Sequence, residues 1–307
     1  MLMKEKIPSF ELVQDDIPIV RLTLGIAVYM SEPLTVFRNE VVEAYRRFLS
    51  LVGKQGVRQY ATQTMTKHKP LTPRALSMIP TWFASKAPKS ESFGIELTDA
   101  VPFNAAPTTK FHLMGQEFTD AGRLESASII RYVLPASWGI ERAGEMLEIA
   151  KSLCELLPFR CGHAGYGFEY SKYFPRVAQE HAWAQSMRHP GIDIHDNVND
   201  PRAVAFDGIR GVNWLTMIDD AFIKELGGSP KFKLCTTIPV KGGLIIKAGE
   251  APDIGDVNRR DNLPAYREAF GYIEPITKRT FERASWVGLL RDGGPRTERW
   301  LKRFSNG

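Results

Sequence analysis

One apolar stretch near the start of the chain constrains the fold more than any other feature of the sequence. Residues 19–29 read IVRLTLGIAVY, follow Pro18 and are rich in β-branched side chains. This pattern predicts a long strand at the centre of a sheet. The most apolar window, residues 19–30, is too short to cross a bilayer and contains Arg21, so a transmembrane segment is not expected.

The remaining segments predict strands in groups between helices. Further strands are predicted at residues 93–98, 109–118, 126–134, 232–239 and 243–248, and residues 162–170 are predicted to be a glycine-rich strand or turn. Three helices are predicted to begin at a capping residue: one from Ser31 to Gly53, one after Thr72 within residues 70–85, and one after Asn213 over residues 214–226. Further helices are predicted at residues 139–157, 176–187 and 265–272, and a basic helix is predicted last in the chain. Residues 191–201 and 252–264 are predicted loops. Because this order is not a regular βαβ alternation, it favours a mixed α/β (α+β) fold with a central mixed, largely antiparallel sheet and helices packed on its faces.

Size and composition indicate an ordinary globular protein. A chain of 307 residues is at or above the usual upper size for one hydrophobic core, and 43% of its residues are hydrophobic and 24% charged. No linker clearly cuts the chain, so we expect one domain over residues 1–307, and a two-lobed organisation divided near residue 158 is left open. Three cysteines without a C-x-x-C pair are typical of a reducing compartment. The first residues also lack the features of a signal peptide, and both observations favour the cytoplasm.

The basic end of the chain raises one alternative function. The net charge is +5, and between Lys278 and Arg303 eight basic residues stand against three acidic ones. Such a stretch is compatible with nucleic-acid binding. It contains no recognised nucleic-acid-binding motif, so a solvated basic helix is the simpler interpretation, and nucleic-acid binding through this stretch stays an alternative.

The sequence contains no familiar motif for catalysis or metal binding. The glycines of residues 162–167 have the reverse order of the dinucleotide-binding fingerprint, and they follow a predicted helix instead of a strand. There is no phosphate-binding G-x-x-x-x-G-K loop, no G-x-S-x-G nucleophile motif, no H-E-x-x-H zinc motif and no E-x-K nuclease element. We therefore assign no catalytic residue, metal ion or cofactor. An enzyme of unrecognised type, using Asp253 and Asp256 with His163 or His195, stays an alternative.

Two loops carry clustered acidic side chains, at residues 193–200 and 250–261. Exposed carboxylates on a rigid loop can bind a basic surface of a partner. The alternative is a turn in which Asp and Asn side chains bind their own backbone. The residues that we predict to contact a partner are Asp193, His195, Asp196, Asp200, Glu250, Asp253, Asp256, Asn258, Arg259 and Asp261.

A series of motifs, strongest in the C-terminal third, gives the chain a family resemblance. The motifs are GRLE at residues 122–125, RYVLP at 131–135, GHAGYG at 162–167, GVNWLT at 211–216, LGG at 226–228, GLIIKAGEAPDIGDVNRR at 243–260 and PAYR at 264–267. With them the chain resembles the type VI secretion immunity family, whose members are linked to nuclease effectors delivered between bacteria. The resemblance covers about residues 15–280, and its most specific part is AGEAPDIGD at residues 248–256.

The resemblance implies a cytoplasmic immunity protein that binds a cognate nuclease toxin tightly and blocks its active site or the path of its substrate. It implies no enzyme activity, no cofactor and no membrane association; nucleic acid is not an expected partner, and a homodimer is left open. Immunity proteins against basic nucleases are often acidic, whereas this chain has a net charge of +5, so binding would depend on a local acidic patch. The motif residues Gly249, Pro252 and Gly255 also fit a fixed loop conformation, which Asp256 and Asn258 would cap internally.

Overall fold

A twelve-stranded sheet forms the centre of the fold in the computed structural model, which describes residues 8–84, 94–115, 117–118, 124–194, 208–281 and 299–305. In chain order the strands are β1 Leu12–Gln14, β2 Ile17–Met30, β3 Gln59–Thr62, β4 Lys69–Pro70, β5 Gly94–Thr98, β6 Lys110–Met114, β7 Glu117–Phe118, β8 Leu124–Ser126, β9 Ser128–Pro135, β10 Cys161–Tyr170, β11 Asp193–Ile194, β12 Leu215–Asp219, β13 Cys235–Val240 and β14 Gly243–Ala248. The helices in these ranges are α1 Arg38–Val52, α2 Pro73–Leu76, α3 Met78–Trp82, α4 Trp138–Glu141, α5 Ala143–Leu156, α6 Pro175–Arg188, α7 Asp220–Glu225 and α8 Pro264–Phe281, with 3-10 turns at Lys54–Gly56 and Val257–Arg259. Residues 299–301 are also helical.

The sheet is largely antiparallel. Its strands lie in the order β13-β14-β12-β10-β2-β9-β6-β5-β3-β4, with β1 beside β2 and β11 beside β10. The β10–β11 pair is parallel, and the other pairs described in this sheet are antiparallel. This arrangement confirms the predicted α+β fold with a mixed, largely antiparallel sheet. Among the helices of the described ranges, none is long and apolar enough to cross a membrane.

Strand β2 lies at the centre of the sheet, as its sequence predicts. It pairs with β10 from Val20 to Tyr29 on one side and with β9 from Thr23 to Met30 on the other. Residues 23–30 are buried throughout, which explains why the stretch is apolar at nearly every position. Strands that precede and follow residue 158 are therefore neighbours in one sheet, and residues from both halves of the chain contribute to one hydrophobic core.

One face of the sheet is apolar and packs against α1. The rings of Tyr45 and Phe48 each lie 5.3 Å from the ring of Phe111 between centroids, and Phe48 lies 5.2 Å from Tyr132. The Tyr132 hydroxyl donates a hydrogen bond to the carbonyl of Ala44. Because buried aromatic pairs contribute roughly 0.5–1.5 kcal/mol each beyond the area they bury, this cluster holds α1 on strands β6 and β9.

The opposite face carries a buried ionic network. Arg131, His112 and Glu96 are aligned on the neighbouring strands β9, β6 and β5. Glu169 of β10 forms ion pairs with Arg131 and with Lys110, whose Nζ lies 2.5 Å from Glu169 Oε2. Burial lowers the pKa of His112 to about 4, so this imidazole is neutral at pH 7. A buried charge without a partner is strongly unfavourable. The charged side chains of this face therefore have to lie next to one another in the folded protein.

Most predicted strands and one predicted cap are confirmed. The strands predicted at residues 93–98, 126–134, 232–239 and 243–248 correspond to β5, β9, β13 and β14, and residues 109–118 contain β6 and β7. Residues 162–170, predicted to be a glycine-rich strand or turn, form the strand β10. The Thr72 side chain accepts a hydrogen bond from the backbone N–H of Ala75 at 3.1 Å, which caps α2 as predicted. The helix predicted at residues 176–187 is α6.

The helix predicted at residues 214–226 is wrong in its first half. Residues 215–219 form β12, which pairs with β10 on one side and with β14 on the other. The helix begins only at Asp220, and its cap is not Asn213 but Asp219, whose Oδ1 accepts from the N–H of Phe222 at 2.8 Å. A short apolar run suits a buried strand and a helix equally well, and only the presence of two partner strands decides between them.

The other helix boundaries differ from the prediction in three places. The first helix does not begin at Ser31: α1 starts at Arg38, although it ends before Gly53 as predicted. The helix predicted at residues 139–157 is divided at Arg142 into α4 and α5. The helix predicted at residues 265–272 continues to Phe281. Of the last basic helix, only its end at residues 299–301 lies within the described residues.

Candidate partner-binding site

The loop between β14 and α8, residues 249–263, contains the most specific part of the family motif, and its backbone has an unusual conformation. Gly249 and Gly255 have φ angles of 90° and 61°, and Arg260 and Leu263 also have positive φ angles of 59° and 47°. A Cβ atom at Gly255 would lie 2.9 Å from Cγ of Leu263. Glycine is therefore favoured at position 255, because it adopts this backbone angle without strain and because any Cβ atom would displace Leu263.

Three of the predicted partner-binding carboxylates bind the backbone of this loop. Asp253 Oδ1 accepts from the N–H of Gly255 at 3.0 Å, and Asp256 Oδ1 accepts from the N–H of Asn258 at 3.0 Å. Asp261 Oδ1 accepts from the N–H of Leu263 at 3.4 Å. These are turns of the kind that Asp stabilises, so the alternative of a motif that is partly structural is supported for all three residues.

Asp256 also connects the loop to α6. Its Oδ2 accepts from the Arg188 guanidinium at 3.1 Å, and Nε of Arg259 lies 3.9 Å from the same oxygen. The hydrogen bond from Arg188 is the largest of the effects that lower the pKa of this carboxyl group below its usual value. The Asp256 side chain is only 12% exposed, so most of it is unavailable to a partner.

Further contacts from residues 189–191 and from α8 hold the loop in place. The N–H of Gly191 donates to the carbonyl of Ile254 at 3.0 Å, and Nδ1 of His189 lies 2.6 Å from the carbonyl oxygen of Gly255. The Tyr266 hydroxyl bonds both backbone groups of Asp253, at 3.2 and 3.3 Å. A Cβ atom at Gly191 would lie 1.9 Å from the Asp253 carbonyl oxygen. The loop is thus fixed by two neighbouring parts of the structure, residues 188–191 and α8, and does not depend on its own turns alone.

A cleft of about 600 Å³ lies beside the loop. Residues 8–11, α4, α6 and the loop itself form its walls, with Ile140, His181, Gln185 and Arg188 among the side chains that line it. Tyr166 also borders the cleft; it is 2% exposed, and its hydroxyl has no hydrogen-bond partner among the described residues. Burial raises the pKa of Tyr166, so the side chain is neutral.

The outward side of the loop carries the residues that a partner can reach. Asn258, Arg259 and Asp261 are exposed, and the side chain of Arg259 is 72% exposed. Val257 is 44% exposed at the same turn. The Glu250 side chain is 92% exposed, and its Oε2 lies 2.7 Å from Nζ of Lys247. This surface therefore has mixed charge with one exposed apolar side chain.

The second predicted loop does not provide an exposed acidic surface at its start. Asp193 is 3% exposed, because it lies in β11, which pairs in parallel with β10 inside the sheet. Its Oδ1 accepts from Arg210 at 3.0 Å, and its Oδ2 lies 3.8 Å from Nε2 of His163. The prediction of a polar surface loop is therefore wrong for residues 191–194. His195, Asp196 and Asp200 lie outside the described residues.

The positions of His163, Asp253 and Asp256 do not support the alternative of an enzyme that uses these residues together. Burial lowers the pKa of His163 to about 3, and His163 lies beside Asp193 and not in the cleft that Asp253 and Asp256 line. Within the described ranges, no group of three or more His, Cys, Asp and Glu side chains could hold a metal ion. The three cysteines are free thiols.

The basic C-terminal stretch is only partly described, and one of its bases is engaged within the fold. Arg303 stacks on the ring of Trp300 at 3.6 Å from the centroid. Its Nε donates to the carbonyl of Pro190 at 2.8 Å. Arg303 is therefore not a free charge for binding nucleic acid.

Sequence reasoning did not find the residues that position the loop. Arg188, His189, Gly191 and Tyr266 are absent from the predicted site, although each contacts the loop. Arg188 is 68 residues away from Asp256 along the chain. No local pattern reports such a contact, and the available signals were that Gly191 opens a predicted loop and that Tyr266 lies in the PAYR motif.

The fold and the site define an α+β protein that presents a rigid, charged loop beside a cleft. A Pseudomonas aeruginosa T6SS protein, PA0821, has a similar structure, with a TM-score of 0.76 and 18% sequence identity over 96% of this chain and 87% of that chain. At this identity the similarity establishes the fold alone. No curated protein matches this chain.

The family follows from the sequence of most of the chain. The model of the TsiV family, described as type VI immunity for VRR-NUC, matches residues 40–304, and the chain therefore belongs to that family. The match confirms the resemblance found in the motifs. The chain is an immunity protein of the type VI secretion system, and the effector against which it protects is a nuclease of the VRR-NUC kind.

Proposed function

We propose that this chain protects its own cell by binding a VRR-NUC effector directly and covering the active site or the path by which nucleic acid reaches it. The match of the TsiV family to residues 40–304 is the observation that carries this proposal. In this proposal the chain contributes a shaped surface and performs no catalysis. The protein would act in the cytoplasm, where a nuclease effector meets nucleic acid.

The rigidity of loop 249–263 supports a role in binding. Its conformation is set by Asp256 and Arg188 and by the contacts of Gly191 and Tyr266. A loop that is already ordered loses little conformational entropy when a partner binds. The exposed residues Val257, Asn258 and Arg259 would then form the part of the loop that contacts the effector.

The second predicted stretch, residues 193–200, enters the proposal with one change. Since the Asp193 carboxylate binds Arg210 inside the fold, this residue would anchor the stretch and would not touch the effector. His195, Asp196 and Asp200 keep their proposed role as contacts. A homodimer stays a prediction, which light scattering of the purified chain can test.

The first experiment combines co-expression with a matched pair of variants. The chain is expressed together with the effector encoded beside it, and survival of the cells is measured along with binding to an inactivated effector by calorimetry. We expect the unaltered chain to protect the cells and to form a complex that survives gel filtration. If the cells die and no complex forms, the proposed function is wrong.

The variant Arg259→Glu tests the loop, and Arg176→Glu is its control. Both side chains are mostly exposed, at 72% and 67%, and each lies near a carboxylate, at 3.9 and 3.5 Å. Arg176 lies twelve residues before Arg188 on α6, roughly 18 Å along the helix axis. We expect Arg259→Glu to weaken binding by about tenfold or more, which is ~1.4 kcal/mol. The control should bind as the unaltered chain does, and equal binding by both variants would place the interface elsewhere.

A further inference from the structure

We propose that an acid-rimmed apolar pocket, distant from loop 249–263, receives a basic side chain from the nucleic-acid-binding surface of the effector. This inference rests on the proposed function and adds to it the chemistry of one contact. The pocket, called here the Glu32 pocket, has a volume of about 380 Å³. It lies between residues 32–40, the turn that follows α5, and the tip of the β13–β14 hairpin.

The segment that precedes α1 forms one side of the Glu32 pocket. Residues 31–37 make a turn in which the N–H of Val36 donates to the carbonyl of Pro33 at 3.0 Å. The hydroxyl of Ser128 in β9 donates to the carbonyl of Glu32 at 2.9 Å, which ties the turn to the sheet. The pocket wall is therefore a fixed part of the fold.

The floor of the Glu32 pocket is apolar and its mouth is open. Phe37, Leu157 and Phe159 line it, and they are 5%, 3% and 6% exposed. Val36 stands at the rim and is 67% exposed, a high value for a large apolar side chain. The volume of the Glu32 pocket falls within the range of roughly 300–1,000 Å³ that is typical of ligand pockets. An open apolar pocket of this kind is a candidate contact surface for another molecule.

The charge of the Glu32 pocket is opposite to that of the whole chain. Three carboxylates line it, those of Glu32, Glu40 and Glu155, against the single ammonium group of Lys241. The Glu155 carboxylate accepts from the backbone N–H of Lys241 at 3.2 Å, and the carboxylates of Glu32 and Glu40 have no partner among the described residues. The chain as a whole has a net charge of +5. This is the local acidic surface that a net basic immunity protein would need to bind a basic enzyme.

A long basic side chain fits both properties of the Glu32 pocket. Lys and Arg bury their aliphatic stems on apolar surface while the charged head stays among polar groups. A nuclease holds nucleic acid largely through Lys and Arg that neutralise phosphates. A side chain of that surface, with its stem on Phe37 and Phe159 and its head among the three glutamates, would be withdrawn from nucleic acid. Binding at this pocket would thus compete with the substrate.

The test compares two triple variants with the same change of charge. Glu32→Gln, Glu40→Gln and Glu155→Gln together remove the acidic rim with almost no change of shape. Glu148→Gln, Glu180→Gln and Glu225→Gln together form the control, since these glutamates lie on α5, α6 and α7 away from the pocket. Binding to the purified, inactivated effector is measured at low and at high salt. We expect the pocket variant to bind about tenfold or more weakly and to lose most of the salt dependence of its association rate.

A single substitution keeps the test informative if the triple variant folds poorly. Val36→Lys places a positive charge at the mouth of the pocket at an exposed position, and Val177→Lys on α6 is its control, with side chains that are 67% and 49% exposed. We expect only Val36→Lys to weaken the complex. If both pocket variants bind the effector as tightly as their controls do, the inference is wrong and the proposed function still stands. Failure of the unaltered chain to bind the effector would instead overturn the proposed function.

Discussion

Loop 249–263 and the Glu32 pocket both carry clustered carboxylates, but the two regions use them differently. In the loop, Asp253 and Asp256 accept hydrogen bonds from backbone N–H groups, and Asp256 also binds Arg188. In the pocket, Glu32 and Glu40 bind no group of the described part of the chain. The first set of carboxylates stabilises a conformation, and the second remains available to a partner.

The difference shows what a family motif reports. The string AGEAPDIGD has Gly249, Asp253, Gly255 and Asp256 at the positions where the loop needs positive φ angles or internal caps. A motif of this kind preserves the shape of a loop. The Glu32 pocket lies outside the motif, as expected of a surface that must match one particular effector. The comparison therefore predicts that loop variants lose stability first, whereas pocket variants lose only binding.

The largest effect on stability is expected for Gly191→Ala. The new Cβ atom would lie 1.9 Å from the carbonyl oxygen of Asp253, so the loop must move. We expect the free energy of unfolding to fall by about 1–3 kcal/mol or more, the usual cost of overpacking. Urea unfolding measures this change.

Gly144→Ala is the matched control for this substitution. Apart from its chain neighbours and the backbone of α5 itself, no described atom lies within 4 Å of the Cβ position at Gly144, in the first turn of α5. There the same change meets no steric clash and alanine favours the helix, so the stability should stay the same or rise by up to about 1 kcal/mol. Destabilisation of similar size at both positions would contradict the view that residues 189–191 and α8 hold the loop in place.

A smaller and pH-dependent effect is expected for Asp256→Asn. The bond from Arg188 lowers the pKa of Asp256 in the folded state. A carboxylate whose folded pKa lies below its unfolded value of about 3.9 stabilises the fold above that pH and loses this contribution as the pH falls through the folded pKa. The variant should therefore be less stable than the unaltered chain at pH 7, and the difference should shrink as the pH falls below about 4.

Glu155→Gln in the Glu32 pocket is the control for the pH series. Its side chain lies at the surface, and changes at such positions usually alter stability by no more than about 0.5 kcal/mol. Thermal unfolding between pH 3 and pH 8 compares the three proteins. An equal loss of stability in both variants at pH 7 would remove the distinction between the two regions.

The smallest effect on stability is expected for Val36→Ser. The side chain is 67% exposed, so its removal takes little apolar area out of the core, and the free energy of unfolding should stay within about 0.5 kcal/mol of the original. Binding to the effector should nevertheless weaken. Thermal unfolding and calorimetry on the same sample separate the two outcomes, and a clear drop in stability would show that the pocket rim is structural.

Much of the fold could be predicted from short stretches of sequence. The apolar run of residues 19–29 predicted the central strand, and Thr72 and Gly53 predicted a helix start and a helix end. The β13–β14 hairpin was recognised from two apolar runs around a short polar turn. In each case the deciding pattern of residue types lies within one short stretch, so the sequence contains the signal.

The candidate site was only half predictable. Asp256 and Asn258 were recognised as an internal cap, and the structure confirms their hydrogen bond. The prediction of an exposed carboxylate at Asp193 failed, because β11 joins the sheet beside β10 and carries that residue into the interior. The Glu32 pocket was missed as well, because none of its glutamates belongs to a sequence pattern that indicates binding.

The sequence by itself determined the α+β class, the central strand, several turns and caps, and the family, because these depend on local periodicity, on turn chemistry and on the order of motifs. Only the tertiary structure decided that residues 215–219 are a strand, that Asp193 is buried, that Arg188 holds Asp256, and that Glu32 and Glu155 line one pocket. Each of these depends on which distant segments meet. Burial and pairing are set by those encounters, and a residue's own neighbours in the chain do not specify them.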